Sequence, residues 1–206
     1  MERNNERGFS LVELLVVIGI IMIVAAISAV NMQTSLAAGR VDTAYDMVLG
    51  QLRAARQRSI SERRVYRVTL TQPALTAGTI TTDLMPANPP GCAYNPPIGQ
   101  GTVALPYDMR FAVVSGIPTS STTVPDGFGT GSTAIDMDQT WTSGGTQLYF
   151  QPDGSAQDNL CRPASGVVYV ARPGQLQTSR AITVYGTTGR IKGYRLVVSG
   201  GVASWQ

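Results

Sequence analysis

RGFSLVELLVVIGII, residues 7–21, sets a single carboxylate, Glu13, four residues beyond Phe9 in a run that is otherwise almost wholly apolar. From Phe9 to Val30 only Ser10, Glu13 and Ser28 are polar, and 22 residues of helix rise about 33 Å, enough to cross a bilayer core. A charged side chain in such a span costs about 2.5–3.5 kcal/mol on insertion scales, so a lone one marks function and needs a partner. A cleaved secretory signal has a shorter apolar stretch followed by small residues at a cut site, whereas here the run continues into further helix. Arg3 and Arg7 precede the span, which keeps the short N-terminus in the cytoplasm and sends the remainder across.

After the span the apolar period changes. Val41, Tyr45, Val48, Leu52, Ala55 and Ser59 or Ile60 recur at steps of three or four, with Asp46, Arg53, Arg56 and Arg58 on other faces: an amphipathic helix. No proline occurs before Pro73, and Gly39 and Gly50 weaken a helix without ending it, so one helix is expected from Phe9 to Glu62. Beyond Arg64 the pattern becomes short alternating strands at 65–70, 109–114, 146–150, 166–171, 181–185 and 194–198, with turn chemistry in PDG (152–154), PG (173–174) and TTG (187–189). Thr71–Tyr107, rich in proline, and Ser115–Gly145 read as long loops.

Composition narrows the chemistry. Among 206 residues there is no histidine, one lysine (Lys192) and two cysteines, Cys92 and Cys161, so the side chains that most often run nucleophilic, Schiff-base and zinc reactions are scarce. A non-enzymatic protein without cofactor or metal is expected. The two cysteines are either separate buried thiols or a disulfide, and an extracytoplasmic location favours the bridge. The net charge of +3 is unevenly spread: +4 over residues 40–67, −6 over 68–160 and +6 over 161–206.

RGFSLVELLVVIGII resembles the class III signal of type IV pilins and pseudopilins. The resemblance implies a leader of residues 1–8, cut after Gly8 by a prepilin peptidase that also N-methylates Phe9, and places Glu13 fifth in the mature chain. Methylation keeps the positive charge on the new amine, so Glu13 can neutralise its own terminus or a neighbour's, and an unpaired charge amid packed apolar helices is costly. Glu13 thereby pins one axial register in a filament. QLRAARQRSISERRVYRVTL (51–70), YFQPDGSAQ (149–157) and VYGTTGRIKGYR (184–195) are similar to recurring stretches of the GspH/FimT group.

That resemblance implies an α+β fold: a long N-terminal helix, transmembrane over 9–30 and amphipathic over 31–64, packed on a C-terminal antiparallel β-sandwich of residues 65–206 in the periplasm. It further implies an inner-membrane protein that joins other pilin or pseudopilin subunits in an extracellular filament. Val30 stands where major pilins often carry a span-kinking proline, which favours a minor subunit.

In GRIKGYR (189–195), Arg190 and Lys192 are two apart and project to one side of an extended segment, while Gly189 and Gly193 permit a bulge that re-aims Arg195. Similar hairpins in FimT-like minor pilins are associated with DNA capture, so Arg190, Lys192 and Arg195 are candidates for sequence-independent contacts to duplex phosphates. The competing reading is solvated charge, or pairing with acids of a neighbouring subunit, as in a type II secretion pseudopilin acting through protein contacts alone. Arg53, Arg56, Arg58, Arg63 and Arg64 read as a solvated helix face, Asp136 and Asp138 as surface acids, and Trp141 and Trp205 as packing residues. Gly127, Gly129 and Gly131 lack the strand-to-helix setting of a nucleotide loop.

Overall fold

The computed structural model describes residues 10–86, 97–120, 122–129, 132–139 and 144–206, with backbone alone for 29–38 and 100. Helix α1 runs Leu11–Glu62, and the chain divides into two compact units, Met1–Gly39 and Arg40–Gln206. In the first, every described residue from Ser10 to Ser28 is exposed, and Leu11–Ser28 is long and apolar enough to cross a membrane. Among the described residues this greasy helix is uncovered, the kind of surface that lipid or other chains bury.

In the second unit α1 buries one stripe. Val41, Ala44, Tyr45, Val48, Leu49, Leu52 and Ala55 join a single core with the inner faces of two sheets. The helix ends without glycine: Arg63 takes the left-handed conformation (φ 52°) and the Arg64 N–H reaches back to the Ser59 carbonyl at 3.2 Å, a Schellman-type stop.

The strands are β1 (Tyr66–Thr71), β2 (Thr79–Leu84), β3 (Gly99–Ala104), β4 (Arg110–Phe111), β5 (Ile135–Asp136), β6 (Gln147–Phe150), β7 (Ala156–Gln157), β8 (Gly166–Ala171), β9 (Arg180–Tyr185), β10 (Arg190–Ser199) and β11 (Val202–Trp205). The first sheet has the order β3-β2-β1-β6-β7 and the second β11-β10-β9-β8-β4, with β5 also on β8. All pairings are antiparallel. Tyr66, Val68, Leu70, Ile80, Leu148 and Phe150 face inward from one sheet, and Val168, Val170, Ile182 and Val184 from the other. The fold is therefore the expected α+β arrangement of a long helix with a two-sheet antiparallel domain.

Three expectations need correction. Thr71–Tyr107 is not one long loop, because β2 pairs with β1 over six residues and β3 pairs with β2. Threonine-rich TITTDL and glycine-bearing GQGTVA carry little apolar alternation, since an edge hairpin needs only Ile80 and its neighbours turned inward. The strand expected at 109–114 shrinks to Arg110–Phe111, after which the chain leaves the sheet. The last hairpin is longer than expected, with β10 already begun at Arg190 and closed by β11.

The described residues 112–120 and 122–129 do not float as a loop. Ile117 and Phe128, with Leu176 and Trp205, cover the outer face of the second sheet and form a second core with Val167, Tyr169, Ala181 and Leu196. Both faces of β8 are consequently buried, which is why GVVYVA is apolar at every position rather than alternating.

Candidate functional site

Glu13 lies in the first turn of α1, exposed on the uncovered span. An anion there is favoured by the helix dipole by about 0.3–1 kcal/mol. Gly8 and Phe9, the expected cleavage and methylation positions, lie outside the described residues, as does Cys92. Its expected partner Cys161 is not a free thiol.

The basic trio on β10 is divided by the pleat. Arg190 pairs with Tyr185 of β9 at the start of the ladder, and the turn proper is Gly186–Gly189, so the cations stand on strand rather than at a loop tip. Ile191 packs on the main core, and a Cβ on Gly193 would strike the Tyr45 hydroxyl, so this side of β10 faces α1. Arg195 belongs to that side: its guanidinium lies 5.9 Å from the Tyr45 ring and 3.5 Å from Asp42, which also pairs with Arg180 at 3.2 Å. The bulge expected to bring Arg195 beside the other two is absent from the register, which runs unbroken from Arg190 to Arg195.

Arg190 and Lys192 do share the opposite face, and there they meet an acid that sequence reading passed over. Asp126 sits 3.8 Å from the Arg190 guanidinium and 3.4 Å from Lys192 Nζ, and it accepts a 2.6 Å hydrogen bond from the Thr183 hydroxyl. Burial pushes its carboxyl up, but hydrogen bonds from Thr183, Tyr194 and Lys192, with the Lys192 charge, outweigh that and hold it below the usual range. Asp126 itself has φ 51°, between Pro125 and Gly127; the VPDGFG stretch was the only sequence signal for such a bent presentation. Arg190 also stacks 5.0 Å over Tyr185. Both cations remain about half exposed, so Asp126 lowers their combined charge without covering them.

Beside them an open cleft of about 740 Å³ runs between α1 and the Gly186–Gly189 turn, lined by Arg53, Arg56, Gln57, Tyr185, Arg190 and neighbouring residues, none of them acidic. Arg56 is structural, donating to the carbonyls of Gly154 and Thr188 at 3.1 Å each. Arg53 is exposed on the cleft wall. The helix arginines thus differ: one staples two turns, and another lines the only basic recess that also contains Arg190 among the clefts described.

The acids of STAIDMDQ are not on the surface as expected; Asp136 and Asp138 are buried. Asp136 accepts from the Gly144 N–H at 3.0 Å, while Asp138 Oδ1 has no hydrogen-bond partner. Burial first, then the charge of Asp158, pushes the Asp138 carboxyl up to about 6 against the opposing pull of Arg162. Among the described residues no group of three or more His, Cys, Asp or Glu is arranged to hold a metal. Gly129 serves packing: its φ is 93° and a Cβ would strike the Tyr169 hydroxyl. Trp205 packs on Tyr169 at 5.7 Å between ring centres, and Trp141 lies outside the described residues.

Residues 3–29 match the prokaryotic N-terminal methylation motif. The N-terminal segment is pilin-like. No curated protein matches the chain. Among solved structures the chain is similar to the type IV minor pilin FimU of Pseudomonas aeruginosa strain PAO1, with 12% identity and a TM-score of 0.44 over 75% of this chain and 87% of that one. The methylation motif and the uncovered apolar helix together imply membrane anchoring and assembly with other pilins after processing by a prepilin peptidase.

Proposed function

We propose that the protein is a minor filament subunit, cut after Gly8, N-methylated on Phe9, and held in register by Glu13 against a terminal amine. The observation that carries this reading is the combination of the methylation motif with a span whose every described side chain is exposed, leaving a surface that lipid covers first and neighbouring subunits cover later. The subunit resides in the inner membrane with Arg40–Gln206 in the periplasm, and leaves the bilayer on assembly. Its role is contact rather than catalysis. Cys92 and Cys161 form a stabilising bridge in this setting, closing a long loop. Mass spectrometry of the native protein is expected to find a chain beginning at methylated Phe9, and Glu13→Ala is expected to abolish recruitment into filaments; an intact leader, or normal recruitment, overturns the proposal.

Two finer roles compete. In the GspH-like alternative, a type II secretion pseudopilin, the protein acts through subunit contacts only; the pairing of Arg195 with Asp42 and of Arg190 and Lys192 with Asp126 supports it, because these cations already have acids. In the FimT-like reading the protein also captures duplex DNA for natural transformation. The acid-free cleft supports this second role, since it adds Arg53 to half-exposed Arg190, with Lys192 on the same strand face, while Arg195 drops out. With about three phosphate contacts, log affinity is expected to fall against log salt with a slope near −2.7, and Arg53→Ala/Arg190→Ala to weaken binding without sequence preference. No binding at low salt leaves the secretion-type role.

A further inference from the structure

Resting on the FimT-like reading, in which Arg190 and Lys192 contact duplex phosphates, we propose that Asp126 is an internal competitor for those phosphates. It holds both cations until the closely spaced charges of a duplex draw them away, and so sets the affinity of that face.

All the residues concerned belong to the unit Arg40–Gln206. Within it the acid is fixed and the cations are not. Asp126 is presented by the turn Pro125–Gly127, in which the Gly127 N–H donates to the Val124 carbonyl at 3.3 Å and the Phe128 N–H to the Pro125 carbonyl at 2.9 Å. Phe128 then packs against the second core and meets Tyr185 edge-on, 5.1 Å between ring centres. The left-handed φ of 51° at Asp126 is a conformation that persists where its surroundings over-determine it. Its carboxylate side chain is 12% exposed and accepts from the Thr183 hydroxyl at 2.6 Å and from the Tyr194 hydroxyl, one on β9 and the other on β10. The side chains of Arg190 and Lys192, by contrast, are 51% and 45% exposed on long flexible stems, and Asp126 is the one acid paired with either among the described residues.

Ion pairs as exposed as these are weak and screened by salt, so the cations can turn outward. A duplex carries about one charge per 1.7 Å of its axis and releases counterions as cations bind, which favours the exchange. The exchange leaves Asp126 behind, mostly buried and held only by two hydroxyls. Against burial, the hydrogen bonds from Thr183, Tyr194 and Lys192 keep its carboxyl below the usual range, so the acid is charged at neutral pH. A stranded carboxylate therefore opposes release of the cations. An isolated anion, offering one charge for the one it replaces, gains little from the exchange.

The test uses the full chain in nanodiscs of phosphatidylcholine, which carry no net charge, with a short fluorescent DNA duplex of mixed sequence at low salt. Asp126→Asn, whose side chain suits the left-handed turn, is expected to bind about three- to tenfold more tightly than the wild-type chain. In the Arg190→Ala/Lys192→Ala background the same substitution is expected to change affinity by less than about twofold, because its partners are gone. Asp46→Asn removes an equal charge from an exposed position on α1 and is likewise expected to change affinity by less than about twofold. Asp126→Gly, which also accepts φ 51°, repeats the measurement should Asp126→Asn fold poorly. Wild-type binding with no gain at residue 126 overturns the inference and leaves the DNA reading in place, as does an equal gain at Asp46 or in the background lacking both cations. If neither the wild-type chain nor the residue-126 variants bind the duplex, the DNA reading falls and this inference with it.

Discussion

Asp138 is a carboxylate in the wrong place for a charge. Its folded proton affinity lies near pH 6 against an ordinary 3.8, so the folded state binds the proton more tightly than the unfolded one. The sign follows: its contribution is fully present below pH 3.8 and is lost as pH rises through about 6, a difference of about 3 kcal/mol at roughly 1.4 kcal/mol per decade. Asp138→Asn is expected to raise the melting temperature at pH 7.5 and to leave it little changed at pH 4; a thermal melt series across that range reads the effect directly. Gly193 gives a steric counterpart. A methyl there meets the Tyr45 hydroxyl, so Gly193→Ala is expected to cost about 1–3 kcal/mol in chemical denaturation, and Tyr45→Phe in the same chain to recover part of it. Neither residue announced itself in sequence: Asp138 read as a surface acid, and Gly193 as a point of flexibility. Burial of a polar side chain depends on which loop folds over it, and local pattern does not encode that.

At the scale of elements, legibility tracked how much of each segment faced one apolar neighbour. The buried stripe of α1 coincides with the 41-45-48-52-55-59 period, and β8 and β9 follow their apolar runs to within a residue. The β2–β3 hairpin was hidden because its threonines and glycines pack at a sheet margin, where hydrogen bonding rather than apolar alternation specifies the strand. β11 was hidden for the same reason: Val202 and Ser204 are exposed, and only Ala203 and Trp205 turn toward the sheet's second core. The end of α1 carries a correctable strain. Arg63 holds a left-handed φ that an L side chain adopts at a cost of about 1 kcal/mol or more, so Arg63→Gly is expected to stabilise the protein by about 0.5–1 kcal/mol in urea melts, with no change in fold. The same substitution two residues earlier, at Ser61 inside the helix, is expected to destabilise it by a similar amount.

For the molecule as a whole, the N-terminal reading depended on side-chain types at short spacing and was therefore available from sequence. The distal reading depended on which residues converge in space. Alternation placed Arg190 and Lys192 together, but Asp126 reaches them from 64 residues upstream and Arg53 approaches on a different element, and neither approach is written in local periodicity. Charge totals misled in the same way: the acidic middle of the chain is spent largely on the chain's own arginines, Asp83 on Arg67, Asp108 on Arg40 and Arg172, Asp126 on Arg190 and Lys192, and Asp158 on Arg162. What is left for partners is a surface of modest net charge with local cationic recesses.

Because Ile117 and Phe128, with Leu176 and Trp205, pack on one side of β8 while the main core occupies the other, the amides of Gly166–Ala171 have no partial route to solvent. In deuterated buffer these six are expected to exchange last, on the schedule of complete unfolding, so a protease or chaperone working on an unassembled subunit gains access to that strand only by undoing the entire domain.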